Sequence, residues 1–71
     1  MKTLAQFVKS RRRQVGLTQE KFAEKAGVAL TVVRKIEQGK ENLNLDKVNQ
    51  VLRMFGHELG PVVMKPLEEN T

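Results

Sequence analysis

Cysteine, tryptophan and tyrosine are absent from this chain, and histidine occurs once. Without cysteine the chain has no disulfide and no thiolate ligand for a metal, and one histidine is too few for a zinc site. No segment holds the roughly 20 consecutive apolar residues of a membrane span, and the start, MKTLAQFVKSRRR, lacks the apolar run of a signal peptide. We therefore expect a cytoplasmic protein that uses neither a metal nor a cofactor.

The chain has 71 residues, which is enough for one small domain. A chain of this size buries only about 60% of the surface that it exposes when unfolded, so a partner subunit would add stability. We find no set of nucleophile, base and metal ligands, because the one histidine is His57, with Glu58 beside it, and the one serine is Ser10. The sequence therefore predicts a protein that is not an enzyme.

Positive charge is concentrated in the first part of the chain. Residues 1–40 contain ten Lys or Arg against three Glu, a balance of +7, whereas residues 41–71 sum to −2. A basic region of this kind is typical of a surface that binds phosphate groups. Solvated surface lysines give the same count, so charge alone does not decide between the two.

The segment 18–39, TQEKFAEKAGVALTVVRKIEQG, has the pattern of two short helices joined by a tight turn. Thr18 is a helix-capping residue, Gly27 allows a sharp turn, and Gly39 lets the chain leave the second of these helices. Two helices packed at a steep angle across such a turn form a helix-turn-helix. The second helix of that motif can lie in the major groove of DNA.

Two further helices complete the predicted bundle. Apolar residues at helical spacing predict a first helix over residues 4–15 and a fourth helix that starts after Asn44 and stops at Gly56. The positions that we assign to their core-facing stripes are Leu4, Val8 and Val15 in the first helix and Leu45, Val48, Val51, Leu52 and Phe55 in the fourth.

Arg12 interrupts the apolar stripe of the first helix. A charge on a buried stripe is costly unless it is paired, so we predict a structural ion pair between Arg12 and Glu37, at the end of the third helix. Arg11 and Arg13 flank the stripe, and we expect them to reach either solvent or phosphates.

The candidate DNA contacts follow from the position of each residue in the helix-turn-helix. Residues near the start of the third helix can face base edges, and an arginine can bond O6 and N7 of guanine together. The predicted base contacts are Ala29, Leu30, Thr31 and Arg34. The predicted phosphate contacts are Thr18, Gln19, Lys35, Lys40 and Asn42. The alternatives are an ordinary solvated surface for the polar residues and a core position for one of Leu30 or Val32.

The last stretch, HELGPVVMKPLEENT, changes character. Its glycines and prolines oppose a helix, and nothing else in the chain offers a strand partner. The residues that favour extended backbone are Leu59, Val62, Val63 and Met64. We therefore predict that residues 57–65, after a DNA-binding domain at 1–56, pair with the same segment of a second copy across a two-fold axis. Residues 66–71 are predicted to be a flexible tail, and disorder of the whole stretch is the alternative.

The segment RRRQVGLTQEKFAEKAGVALTVVRKIEQGK resembles the Cro/lambda-repressor (Xre) type of helix-turn-helix, through GLTQ, FA in place of LA, AGV and IEQG. The resemblance covers roughly residues 4 to 56. It implies a mainly α, lambda-repressor-like bundle of four to five helices that represses transcription as a dimer on an operator. It also implies the pairing of Arg12 with Glu37. Ala29 and Leu30 stand where many members have polar side chains, so we expect specificity to depend on Arg34, Thr31 and DNA shape.

A compact domain followed by FGHELGPVV is similar to HipB-type antitoxins, whose C-terminal strands pair across the dimer. That resemblance implies a partner toxin of the HipA kinase type, an operon that the complex represses, and a bacterial, nucleoid-associated protein. A free-standing Xre-type repressor without a toxin is one alternative. A protein-interaction module or an RNA binder is another, although the chain lacks the tyrosine and tryptophan of common base-stacking RNA readers.

Overall fold

A computed structural model describes residues 3–64, and that part of the chain contains four α-helices and no strand. The helices are α1, Leu4–Gln14; α2, Gln19–Ala26; α3, Leu30–Glu37; and α4, Leu45–Leu52, which continues into a short 3-10 helix, Arg53–Phe55. The predicted mainly α bundle is confirmed. Residues 57–64 form neither helix nor strand within the chain, so strand pairing between two copies stays a prediction. Residue 65 and the predicted tail, 66–71, lie outside the described residues.

Three of the four helices begin at a side chain that caps them. Thr3 Oγ1 accepts a hydrogen bond from the Gln6 N–H, and the Gln6 side chain accepts one from the Thr3 N–H, which completes a capping box. Thr18 and Asn44 cap α2 and α4 by accepting from the N–H three residues further on. The residue before α3 is Ala29, whose side chain accepts no hydrogen bond. Packing therefore has to hold the first turn of α3.

The core takes one face of every helix. Its buried apolar side chains are Val8, Phe22, Ala23, Ala26, Val33, Ile36, Val48, Val51 and Leu52. Two residues of the predicted stripes do not belong to it, because Val15 is 54% exposed and Leu45 is 66% exposed. Val15 is the C-terminal cap of α1 and Leu45 is the first residue of α4, so both lie where a helix extends past the packed layer.

The phenylalanines form one contact group with Arg11 at the edge of the core. Phe22 stacks on Phe55 with ring centres 5.5 Å apart, and Phe7 meets Phe55 edge to face at 6.3 Å. The Arg11 guanidinium lies 5.6 Å from the centre of the Phe7 ring and 5.3 Å from that of Phe55. The two rings therefore hold the Arg11 cation at the edge of the core, where the residue is partly exposed, and a contact between Arg11 and a phosphate stays a prediction.

Residues 3–64 contain neither a membrane-spanning helix nor a group of metal ligands. None of the helices in this range is long and apolar enough to cross a membrane. Nor does the range contain three or more His, Asp or Glu side chains grouped closely enough to hold a metal ion.

Candidate nucleic-acid interface

The outward face of α3 presents polar and basic side chains. Thr31, Arg34 and Lys35 are exposed, at spacings of three and four residues that put them on the same side of the helix. Val33 and Ile36 are buried on the opposite side. Apolar side chains thus anchor α3 to the core while its polar side chains face outward, which is what a helix needs in order to enter a DNA groove.

The two residues at the start of this helix differ in their exposure. Ala29 is exposed just before α3, so its methyl group is accessible. Leu30 is only partly exposed and packs against the core, and so does Val32. The sequence allowed a core position for one of Leu30 and Val32; in the structure both side chains are partly buried against the core. A contact between Leu30 and a base is limited to the exposed part of its side chain.

Glu37 is the single carboxylate of α3, and it faces inward. Its Oε2 accepts a hydrogen bond from Arg12 Nε at 2.7 Å, and its Oε1 accepts one from Arg12 Nη2 at 3.0 Å. The side chains of this pair are only 11% exposed for Arg12 and 4% for Glu37. Because the carboxylate is enclosed, Arg34 and Lys35 leave the outward face of α3 with positive charge alone.

The surroundings of Glu37 act on its pKa in opposite directions. Burial raises the pKa, but hydrogen bonds from Arg12 and Gln19, together with the positive charges of Arg12 and Lys9, lower it to a net value below that of an ordinary glutamate. In return, the hydrogen bond with Glu37 raises the pKa of Arg12. Arg12 also donates from Nη1 to the Leu17 carbonyl oxygen at 2.8 Å. The ionised pair therefore joins α1 to α3 and to the loop before α2.

Gln19 has a partner within the protein as well as a position suited to phosphate binding. Its Nε2 donates to Glu37 Oε1 at 3.1 Å, which links the start of α2 to the end of α3. That bond uses one of the two amide hydrogens, so the second remains available to an anion. Thr18 is exposed, and its hydroxyl oxygen accepts from the Lys21 N–H at 3.1 Å, which leaves the hydroxyl hydrogen to donate.

A cleft of about 180 Å³ lies between α3 and the start of α4. Thr31 and Lys35 of α3 line it together with Asn42 of the intervening loop, so the structure brings together three predicted DNA-contact residues. Lys47, in the first turn of α4, lines the same cleft. The sequence gives Lys47 no role, because only the packing of α4 against α3 brings it to this surface. Lys40 is exposed in the loop outside the cleft.

Gln50 of α4 supports the turn between α2 and α3. Its Nε2 donates to the carbonyl oxygens of Ala26, at 3.0 Å, and Gly27, at 2.9 Å. Gly27 has φ 76°, and a Cβ atom added there would lie 3.0 Å from the same Nε2. The turn predicted at Gly27 is thus closely packed against a side chain that sequence spacing does not single out.

The residues predicted for the dimer strand divide into two groups. Leu59 packs partly against the core of its own chain, and its N–H donates to Asn49 Oδ1 at 2.6 Å. Val62, Val63 and Met64 are large exposed apolar side chains. Three of the four predicted residues are therefore accessible to a second copy, whereas Leu59 is committed to its own domain.

The turn at Gly27, the buried support beneath α3 and its exposed polar face together define a helix-turn-helix protein. A family model described as Helix-turn-helix matches residues 8–59, and the chain belongs to this family, in its Xre type. The chain is 33% identical over 58 residues to an uncharacterized HTH-type transcriptional regulator of Methanothermobacter thermautotrophicus. The alignment covers 82% of this chain and 80% of that protein. The predicted class, a DNA-binding regulator of the Xre type, is thus confirmed.

Proposed function

We propose that the protein is a sequence-specific transcriptional repressor that binds an operator in double-stranded DNA as a homodimer. The observation that carries this proposal is the outward face of α3, where Thr31, Arg34 and Lys35 are exposed while Glu37 is turned inward. With α3 in the major groove, Arg34 bonds a guanine, and Thr31 and Ala29 offer a hydroxyl group and methyl groups to neighbouring bases. The exposed part of Leu30 adds apolar contact.

Contacts with the sugar-phosphate backbone surround this face and fix its register on the duplex. The residues that we propose for these contacts are Thr18, Gln19, Lys35, Lys40 and Asn42. We include Lys47 as well, because it lines the same cleft as Lys35 and Asn42. Each lysine that neutralises a phosphate releases counterions, so binding becomes weaker as the salt concentration rises.

The C-terminal segment supports the proposed homodimer. Val62, Val63 and Met64 expose apolar surface that a second copy can cover, and pairing across a two-fold axis satisfies the backbone of both segments. Pro61 has no N–H to donate, so this intermolecular sheet is short. Such a dimer presents two copies of α3 to half-sites about one helical turn of DNA apart.

Base readout can be separated from phosphate binding with two variants. Arg34→Ala should weaken binding to the operator, selected from a random duplex library, by about 1–3 kcal/mol while hardly changing binding to random DNA. Lys40→Ala, the matched control, should weaken both and reduce the salt slope by about one. Equal losses on both DNAs for Arg34→Ala would contradict base readout, and failure of the library to enrich any sequence would contradict sequence-specific binding.

The finer part of the proposal is that this repressor is the antitoxin of a HipA-type kinase toxin and represses the operon that encodes both, at the nucleoid in the cytoplasm. The resemblance of FGHELGPVV to HipB-type antitoxins supports it. The test is to read the neighbouring reading frame and to express its product with and without this protein. A kinase-like product that arrests growth only when expressed alone is expected, and a neighbour of any other kind would favour a free-standing repressor.

A further inference from the structure

Two consecutive amide side chains of α4 hold two different parts of the molecule. Asn49 accepts a hydrogen bond from the Leu59 N–H at 2.6 Å, whereas Gln50 donates to the carbonyl oxygens of Ala26 and Gly27. Neighbouring residues of an α-helix point about 100° apart, so one helix can reach two different segments. One of these segments is the DNA-binding turn, and the other leads into the proposed dimer strand.

We propose that Asn49 is a positioning residue for the homodimer: by holding the Leu59 N–H, it sets the direction in which residues 61–64 leave the domain. This inference depends on the proposed homodimer and goes beyond it, because it assigns the geometry of the dimer to one side chain. Through α4, the same hydrogen bond sets the separation of the two copies of α3, and therefore the spacing of the half-sites that the dimer accepts.

The path of the chain from α4 to Leu59 is fixed in short steps. Gly56 takes φ 72° after the 3-10 helix, and the His57 N–H then donates to the Leu52 carbonyl oxygen at 3.0 Å. The His57 ring packs 4.8 Å from the Phe7 ring, between centroids. The bond from Leu59 to Asn49 is the last of these anchors before the exposed residues 62–64.

Loss of this last anchor would leave the dimer segment with more directions to sample. A second copy would then have to order the segment as it binds, and that ordering weakens association. Gln50 provides the contrast, because its hydrogen bonds end on the turn between α2 and α3 and not on the C-terminal segment. Removing it should affect folding of the helix-turn-helix without changing the exit direction of residues 61–64.

The test compares three variants of the full chain by sedimentation equilibrium and by binding to operators with systematically varied half-site spacing. Asn49→Ala should raise the dimer dissociation constant about tenfold, the effect of losing one or two net hydrogen bonds, and should broaden the range of accepted spacings. Asn49→Asp keeps an oxygen that accepts from the Leu59 N–H, so both properties should stay close to those of the parent. Gln50→Ala, the matched control, should lower the melting temperature and weaken operator binding at every half-site spacing alike, because it loosens the turn before α3, but it should leave the dimer dissociation constant unchanged.

Hydrogen exchange at the Leu59 amide checks the anchor directly, since exchange should be faster in Asn49→Ala than in Gln50→Ala. A parent-like dissociation constant and spacing preference in Asn49→Ala would overturn the role of Asn49 and leave the proposed dimeric repressor standing. An equal weakening of the dimer by Gln50→Ala would overturn it too, since general loosening of α4 would then explain the effect. A parent chain that stays monomeric, in solution and on DNA, would overturn the homodimer itself.

Discussion

The helix-turn-helix and the C-terminal segment are held in place by very different numbers of side-chain hydrogen bonds. Around α2 and α3, Arg12 donates three, Gln50 two and Gln19 one. In the C-terminal segment, residues 57–64, the His57 ring contacts Phe7 and its Nδ1 bonds the Phe55 carbonyl oxygen, while Leu59 packs on the core and donates one bond to Asn49. A domain this small has few interior contacts to distribute, and most of these side-chain bonds hold the surface that we propose to face DNA. The geometry of the segment proposed to meet a second copy depends on far fewer contacts.

The largest effect on this comparison should come from Arg12→Ala. The substitution leaves the Glu37 carboxylate, only 4% exposed, without its ionic partner, so we expect a loss of about 3–5 kcal/mol in the free energy of unfolding. Urea denaturation followed by circular dichroism measures it. Arg13→Ala, at the exposed neighbouring position, is the matched control and should change stability by less than about 0.5 kcal/mol. Similar midpoints for the two variants would mean that the pair does not hold the helix-turn-helix together.

A smaller effect should follow from adding a methyl group at the turn. Gly27→Ala and Gly39→Ala both place a side chain at positive φ, 76° and 75°, which costs about 1–2 kcal/mol. At Gly39 nothing lies within 4 Å of the added Cβ, whereas at Gly27 the Gln50 amide lies 3.0 Å away. The Gly27 variant should therefore be the less stable of the two in thermal unfolding. Equal melting temperatures would show that Gln50 moves aside without cost.

Acid should weaken the ion pair to a lesser degree than removal of Arg12, because protonation leaves Glu37 able to hydrogen-bond. The folded pKa of Glu37 lies below its unfolded value, so the stability that it contributes is present above an unfolded pKa of about 4.3 and is lost as the pH falls through the folded pKa. Between those two values the parent should lose stability more steeply than Glu37→Gln. Denaturation curves at several pH values measure this, and parallel pH profiles would show that Glu37 titrates normally.

The smallest effect on stability should come from deleting residues 61–71. Val62, Val63 and Met64 are exposed, and the deletion spares Leu59, so the free energy of monomer unfolding should change by less than about 0.5 kcal/mol. The same deletion should abolish the dimer in sedimentation. A truncated chain that still dimerises would move the interface to another surface, and a large loss of monomer stability would show that the segment beyond Leu59 belongs to the fold.

Local signals were sufficient to predict most of the fold. The capping residues, the glycines after helices and the periodicity of apolar residues are each encoded within a few positions, and the helix starts follow them closely. Arg12 and Glu37 were also predictable as a pair, because a charge on an apolar stripe requires a partner. Val15 and Leu45 were assigned wrongly to the core, because periodicity does not show where a helix extends past its neighbours.

The supports of the candidate site depend on contacts distant in sequence. Gln50 reaches the turn from 23 or 24 residues away, and Gln19 reaches Glu37 from 18. The sequence did hint at the bond from Gln19 to Glu37, since a buried carboxylate can accept more hydrogen bonds than one arginine donates, and a further donor was therefore to be expected. Lys47 carried no such indication, because only the packing of α4 against α3 brings it to the cleft.

The contact group of Phe7, Phe22 and Phe55 has a consequence for spectroscopy. These three residues are the only phenylalanines, and the chain has no tryptophan or tyrosine, so ultraviolet fluorescence offers little signal for following folding. Ring currents, by contrast, originate almost entirely from this one place in the molecule. The Arg11 side-chain protons, held near two of these rings, should resonate well upfield of other arginines, and their return to ordinary chemical shifts would report when the edge of the core comes apart.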